Sequence, residues 1–257
     1  MPLEIVTVPA LDVFLNYYFL IRDTETDTVA VVDCGGAAPV LSALDAHGWT
    51  LDEIWLTHHH WDHVDGVSDL VAATGAKVRG NSAEAHRLPP LDLEVTSGTS
   101  FDFCGTRVDV LPVDGHARGH IAFHIPAAKA LFSGDSLMAL GCGRLLEGTA
   151  EEMHDTLTRL AALPADTLIY SGHEYTKGNA AFALTIEASS EALQERAAAI
   201  NDVLDAGGAT VPSLLSEELA TNPFLRTHLP QIKSAVGMEG ASDIAVFAEI
   251  RARKDSF

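Results

Sequence analysis

Short apolar segments recur along the first two thirds of the chain, separated by turn residues. They are rich in β-branched and aromatic residues, a pattern that predicts strands. The predicted strands are Ile5–Val8, Tyr17–Ile21, Val29–Asp33, Glu53–Leu56, Phe101–Phe103, Thr106–Leu111, Ile121–Ile125, Ala130–Phe132 and Thr167–Tyr170. One helix is predicted over Pro39–His47. Thr149 and Glu152 form a capping box that begins a second helix, which ends at Leu163.

The pattern changes after residue 173, where helical periodicity replaces the short apolar segments and no convincing strand remains. The predicted helices are Asn179–Ser189, Glu191–Ala206, Ser216–Ala220 and Ser242–Lys254. We therefore predict an α/β domain over residues 1–172 and a smaller all-α domain over residues 173–257.

Composition restricts the classes of partner and the compartment. The 257 residues carry a net charge of −20, which repels nucleic acid and anionic membranes, so neither is expected as a partner. No apolar run is long enough to cross a membrane, and the N-terminus does not resemble a secretory signal. The three cysteines are widely spaced, which fits a reducing cytoplasm rather than a disulfide framework. Nothing in the sequence demands an oligomer, so a monomer is expected.

Residues 57–63 read Thr-His-His-His-Trp-Asp-His and directly follow a predicted strand. In an extended segment His58, His60 and Asp62 can point to one side, and a turn would bring His63 to the same group. Imidazole and carboxylate ligands together suit zinc, iron or manganese. A histidine-rich loop at a helix start is the alternative interpretation of this heptad by itself.

Three further residues share one local pattern, in which a strand is followed by glycine and then by a residue able to bind metal. They are His116 in Asp-Gly-His, Asp135 in Ser-Gly-Asp and His173 in Ser-Gly-His. Two metal ions that share one bridging group need about seven protein ligands, and the heptad supplies four of them. The three strand-end residues complete that number.

The ordered set His-x-His-x-Asp-His, Gly-His, Gly-Asp and Gly-His resembles the metallo-β-lactamase superfamily. The resemblance implies a four-layer αββα sandwich with two divalent metal ions at one edge of the sheets, zinc being expected and iron or manganese compatible. It assigns His58, His60 and His116 to the first metal. It assigns Asp62, His63 and His173 to the second metal, with Asp135 bridging both.

The second half of the chain resembles the glyoxalase II (hydroxyacylglutathione hydrolase) family. The motifs are Gly141-Cys142-Gly143-Arg144, His173-Glu174-Tyr175-Thr176, Asn222-Pro223-Phe224-Leu225-Arg226 and Arg253-Lys254-Asp255. The resemblance implies hydrolysis of the thioester S-D-lactoylglutathione to D-lactate and glutathione, the second step of methylglyoxal detoxification. A hydroxide held by two metals would be the nucleophile, with Asp62 orienting it and Asp135 bridging the metals.

The same resemblance places Arg144, Tyr175, Arg251 and Lys254 around the anionic glutathione moiety. Arg251 and Lys254 are three residues apart and so share one helix face; an exposed basic helix end is the alternative interpretation. Two positions depart from the family pattern. Arg144 stands where lysine is usual, and Leu146 replaces a tyrosine, which should remove one hydrogen bond and raise KM roughly tenfold.

Other functions stay open on the sequence alone, because the superfamily fold does not name the substrate. One is a mononuclear-iron glutathione persulfide dioxygenase, and others are further hydrolases of the same fold. A metal-binding scaffold without activity is the non-enzymatic alternative. The intact Asp62, His63 and His173 favour the two-metal hydrolase.

Overall fold

The computed structural model describes residues 3–12 and 14–257. The chain forms two compact units. The first unit comprises Met1–Pro112 and Ala117–Gly134, and the second comprises Val113–His116 and Asp135–Phe257. These units divide the chain at other places than the boundary predicted after residue 172, which stays a prediction.

The first unit consists of short strands with helices between them, as the apolar segments predicted. Its strands are β1 Leu3–Ala10, β2 Asn16–Asp23, β3 Val29–Val32, β4 Glu53–Trp55, β5 Lys77–Asn81, β6 Leu93–Val95, β7 Ser100–Phe103, β8 Thr106–Pro112, β9 Ile121–Ile125 and β10 Ala130–Gly134. Its helices are α1 Ala37–His47, α2 Trp61–Val64 and α3 Val67–Thr74, with short 3-10 turns at Ser82–Glu84 and Pro126–Ala128. Strands β5 and β6 and helices α2 and α3 were not predicted from the sequence.

Strands β1 to β6 form one sheet in chain order. β1, β2 and β3 pair antiparallel, whereas β3, β4, β5 and β6 pair parallel. The carboxyl ends of parallel strands meet at one edge of a sheet. Asp33 directly follows β3, His58 follows β4 by three positions, and Asn81 is the last residue of β5. Polar side chains therefore gather at this edge.

The two faces of this sheet bury different apolar side chains. Leu20, Val31 and Ile54 pack with Val40 of α1 and Leu70 of α3 in one core cluster. On the other face, the ring of Trp55 lies 5.1 Å from the rings of Phe101 and Phe103 and 5.4 Å from that of Phe123. The antiparallel strands β7 to β10 therefore pack against the sheet through aromatic contacts.

The second unit is largely helical. Its elements are β11 Leu137–Met138, β12 Gly141–Cys142, α4 Ala150–Ala161, β13 Leu168–Ser171, α5 Thr176–Ile186, α6 Glu191–Asp205, β14 Ser213–Leu214, α7 Leu215–Thr221, α8 Pro230–Ala235 and α9 Asp243–Asp255. The predicted capping box of Thr149 and Glu152 is present at the start of α4. Among the described residues, none of the helices has the length and apolar character needed to cross a membrane.

Two features of the second unit differ from the sequence prediction. We expected no strand after residue 173, but Ser213 and Leu214 pair antiparallel with Ile169 and Leu168. Two residues are too short to produce a recognisable alternation, so only the tertiary pairing reveals this strand. Helix α8 was also missed, because its six residues cover less than two helical turns.

Candidate metal centre

The histidine-rich heptad lies at the carboxyl end of β4 and enters the short helix α2. His58, Asp62 and His63 are buried, while His60 is half-buried. The Nε2 atom of His58 lies 3.0 Å from the Nδ1 atom of His60, and the rings of His58 and His63 are 4.2 Å apart. The four predicted ligands of the heptad thus form one compact group in the first unit, as their spacing predicted.

Asp33, at the end of β3, anchors this group. Its Oδ1 accepts a hydrogen bond from the backbone N–H of Thr57 at 2.8 Å, and its Oδ2 accepts one from the Thr57 hydroxyl at 2.8 Å. The same Oδ2 lies 2.9 Å from Nδ1 of His63. An acceptor at Nδ1 keeps the proton there and directs the Nε2 lone pair outward, the state in which imidazole binds metal.

Asn16 and the loop after β3 fix the backbone around Asp62 and His63. The side-chain amide of Asn16 donates to the Asp62 backbone carbonyl at 2.9 Å. A Cβ atom at Gly35 would lie only 1.9 Å from that same carbonyl oxygen, so the close approach of the two segments requires glycine. The backbone N–H of Cys34 also donates to the His63 carbonyl at 2.8 Å. The loop after β3 therefore determines where helix α2 lies.

The second unit carries a cluster of its own, formed by His116, Asp135 and His173. All three side chains are buried. The Oδ2 atom of Asp135 lies 3.0 Å from Nε2 of His173 and 3.5 Å from Nε2 of His116. The three predicted strand-end ligands, which are distant in sequence, thus meet around the Oδ2 atom of Asp135.

Gly143 and Arg144 contact this cluster through their backbone. The Arg144 carbonyl accepts a hydrogen bond from Nδ1 of His116 at 2.8 Å, which leaves Nε2 directed toward Asp135. A Cβ atom at Gly143 would lie 1.9 Å from the Asp135 backbone oxygen and 3.1 Å from Nδ1 of His116. The Gly-Cys-Gly-Arg motif therefore positions His116 and Asp135 through its backbone.

Three of the four predicted substrate-binding residues gather near the end of α9. Arg251 is buried and donates to the Cys142 carbonyl at 3.0 Å and to Asp255 Oδ1 at 2.9 Å. The exposed Arg144 approaches the same Asp255 oxygen at 3.9 Å through its Nε. Asp255 thus partly balances the charge of Arg144 and Arg251, the two cations that the family resemblance predicts to bind substrate.

Lys254 and Tyr175 occupy different surroundings. The Lys254 ammonium donates to the Gly178 carbonyl at 3.1 Å and lies 5.2 Å from the centre of the Phe182 ring. Burial, together with the nearby Arg251 charge, lowers the pKa of Lys254 from its ordinary value. The ring of Tyr175 stacks on that of His173, with centroids 4.5 Å apart. Leu146, which stands where the family has tyrosine, is exposed.

The imidazole and carboxylate donors of both clusters are ligand types that bind divalent metal ions. The described residues include groups of histidine and acidic side chains whose ligand atoms lie within 4.8 Å of one another. Nδ1 of His63 and Nδ1 of His116 each face a fixed oxygen acceptor, the arrangement by which proteins orient imidazole ligands. Imidazole and carboxylate donors suit zinc, iron or manganese, so the residues do not select one metal.

The supporting roles of several residues around these clusters could not be predicted from the sequence. Asp33 follows the apolar strand β3 and precedes Gly35-Gly36, so a polar residue stands at a strand end beside glycine, although in the reverse order to that of the predicted ligands. Asn16 gave no comparable signal. Gly143 and Asp255 lie in motifs that carry the family resemblance, but the contacts they make are not encoded in the local sequence pattern.

Residues 11–173 match the metallo-beta-lactamase superfamily. The chain has this fold, and it is similar to the crystal structure of ETHE1 from Myxococcus xanthus at a TM-score of 0.67, with 22% identity over 97% of this chain and 90% of that one. It is also similar to TTHA1623 in a di-iron-bound form, at a TM-score of 0.54 and 29% identity, covering 66% of this chain and 91% of that one.

The largely helical second part gives the more specific match. Residues 174–257 match the C-terminus of hydroxyacylglutathione hydrolase. The hydroxyacylglutathione hydrolase of Ruegeria pomeroyi is 58% identical over the full length of both chains. That of Methylococcus capsulatus is 49% identical over 99% of both chains. The chain therefore belongs to the hydroxyacylglutathione hydrolase family, and it is an enzyme of the metallo-β-lactamase fold.

Proposed function

We propose that this enzyme hydrolyses S-(2-hydroxyacyl)glutathione thioesters, with S-D-lactoylglutathione as substrate and D-lactate and glutathione as products. The observation that carries the proposal is the combination of two buried ligand clusters with full-length similarity to proteins named hydroxyacylglutathione hydrolase. The anionic substrate suits a chain that concentrates Arg144, Arg251 and Lys254 near one helix end despite its net charge of −20.

We assign the ligands as the family resemblance assigns them. His58, His60 and His116 would hold one divalent ion. Asp62, His63 and His173 would hold the other. Asp135 would bridge the two, a role supported by the approach of two imidazoles to its single Oδ2 atom. When bound, such a pair of ions supplies an activated water and a Lewis acid for the thioester carbonyl.

The protein's own side chains and backbone would orient the attacking water and hold the protons of the metal-binding histidines on Nδ1. Asp62 would orient the attacking water, and its backbone is fixed by Asn16 for that purpose. Asp33 would keep the proton of His63 on Nδ1, and the Arg144 carbonyl would do the same for His116. No side chain is needed as a nucleophile, because water attacks and the glutathione thiolate leaves.

Substrate binding would rest on Arg144, Tyr175, Arg251 and Lys254. The exposed guanidinium of Arg144 suits a glutathione carboxylate, which would share it with Asp255. Buried Arg251 would act at the inner end of the same site, where it already holds the Cys142 carbonyl. Leu146 offers no hydroxyl, so we propose a roughly tenfold higher KM than a tyrosine at this position would give.

Four finer assignments belong to the same proposal. We propose zinc as the metal in both positions, a cytoplasmic location, a monomer in solution, and a domain boundary after residue 172. Elemental analysis of the purified protein tests the first. Cell fractionation tests the location, and sedimentation tests the oligomeric state. Expression of residues 1–172 alone tests the domain boundary.

The deciding experiment is steady-state hydrolysis of S-D-lactoylglutathione, followed by loss of thioester absorbance. We expect turnover that a chelator abolishes and that added metal restores. Asp135→Ala should lose both metal ions and activity, whereas Asp92→Asn, which changes a carboxylate that belongs to neither ligand cluster, should lose neither. A metal-loaded sample that leaves the thioester intact would reject the proposed function, and glutathione persulfide with oxygen would then be the next substrate to test.

A further inference from the structure

Four large apolar side chains are exposed together in the first unit. Leu11, Phe14, Leu15 and Trp61 are 44–61% exposed. Phe14 and Trp61 make an edge-to-face contact with ring centroids 5.3 Å apart, and the backbone N–H of Leu15 donates to the Leu11 carbonyl. We call these four residues the apolar rim. Exposed apolar side chains grouped in this way are typical of a binding surface.

The apolar rim is joined to the metal ligands at both of its ends. Trp61 stands between the ligands His60 and Asp62 and begins helix α2. Leu15 is followed by Asn16, which is buried and donates to the Asp62 carbonyl at 2.9 Å. The position of the rim relative to Asp62 is therefore set by short covalent and hydrogen-bonded connections.

The backbone of the rim is strained at two of its bulky, exposed residues. Phe14 and Leu15 have φ angles of 53° and 59°, in the left-handed region. This region is unfavourable for a side chain with a Cβ atom, and glycine or asparagine normally occupies it. Strain of this kind is retained mainly at functional sites. A loop whose only role was connection would gain stability from glycine at either position.

From these observations we propose that Phe14 and Trp61 form an apolar wall for the acyl side chain of the substrate and so determine which acyl groups the enzyme accepts. The proposal rests on the proposed function, because the reacting carbonyl must lie beside the ligands that flank Trp61. The substituent on the carbonyl then lies next to the two rings. Aromatic pairs gain beyond simple area burial, so a phenyl-bearing acyl group should benefit more than the methyl of a lactoyl group.

The test compares two thioesters, S-D-lactoylglutathione and S-D-mandeloylglutathione, in the metal-loaded full-length enzyme. In Phe14→Ala and Trp61→Ala, the ratio of kcat/KM for the mandeloyl to the lactoyl substrate should fall about tenfold, since loss of an aromatic contact costs up to about that factor. Val203→Ala, which truncates an exposed apolar side chain on α6, is the matched control and should leave the ratio unchanged.

The outcomes separate this inference from the proposed function. If the wild type hydrolyses both thioesters but neither rim variant changes the ratio, the apolar wall is wrong and the hydrolase assignment stands. If the wild type hydrolyses neither, the proposed function fails. Sedimentation of the same samples tests the alternative that the rim binds a second copy of this chain. A dimer that Phe14→Ala dissociates, with no change in the ratio of kcat/KM values, would overturn the apolar wall and assign the rim to self-association.

Discussion

The substitution Asp33→Asn tests whether a buried carboxylate controls the tautomer of His63, one of the proposed metal ligands. Asp33 is only 3% exposed and accepts three hydrogen bonds, from the backbone and hydroxyl of Thr57 and from Nδ1 of His63. Asparagine has nearly the same shape but replaces one acceptor oxygen with an amide nitrogen that only donates. The change therefore alters hydrogen-bond polarity with little change in volume.

The expected consequence is a reversed tautomer of His63. The side-chain oxygen of the introduced asparagine would keep the bond from the Thr57 backbone, so its amide nitrogen would face Nδ1 of His63 and donate to it. The imidazole proton would then reside on Nε2, where it blocks metal binding. Loss of an outer partner of this kind costs about 10–100-fold in metal affinity, equivalent to about 1.4–2.7 kcal/mol.

Metal affinity can be measured by competition with a chromophoric chelator, and circular dichroism can verify the fold. Asp92→Asn is the matched control, because Asp92 also accepts a backbone N–H, that of Val78 at 2.9 Å, and is not among the ligands. An Asp33→Asn protein that binds metal as tightly as the wild type would refute the reasoning. An equal loss in both variants would point to general destabilisation instead.

Three further predictions concern packing and pH. Gly143→Ala should lower metal content and activity, because the new Cβ atom would lie 1.9 Å from the Asp135 backbone oxygen, and elemental analysis measures the loss. Glu218→Ala should reduce the free energy of unfolding in urea by about 3–5 kcal/mol, because it strands the charge of Arg196 in a largely buried ion pair. Burial lowers the pKa of His124, so the unfolded chain binds this proton more readily and stability is lost as pH falls below the ordinary pKa of 6.5. His124→Gln should therefore weaken the dependence of the unfolding free energy on pH in acid.

Control variants and contradicting outcomes accompany these three predictions. Gly178→Ala places a methyl group in open space within α5 and should leave metal content unchanged. Asp155→Ala removes an exposed ion pair with Arg159 and should cost less than about 1 kcal/mol. Equal urea midpoints for Glu218→Ala and Asp155→Ala would contradict the buried-pair argument. A His124→Gln protein with an unchanged acid transition would show that other groups govern it.

Features that depend on neighbours along the chain could be predicted from the sequence alone. The heptad 57–63 follows a strand, so the grouping of its four ligands is a consequence of spacing. The pattern of strand, glycine and candidate ligand predicted a role for His116, Asp135 and His173, which lie together in the folded chain. The capping box of Thr149 and Glu152 is also local, and it forms as predicted.

The residues that support these ligands became visible only in the folded chain. Asp33 meets His63 across 30 positions, and Arg251 meets Cys142 across 109, separations over which hydrophobic periodicity carries no information. Very short elements such as β14 were hidden for a related reason, since their stability comes from pairing partners and not from their own residues. Local patterns thus predict which side chains can bind metal, whereas long-range hydrogen bonds and close backbone contacts decide how those side chains are held.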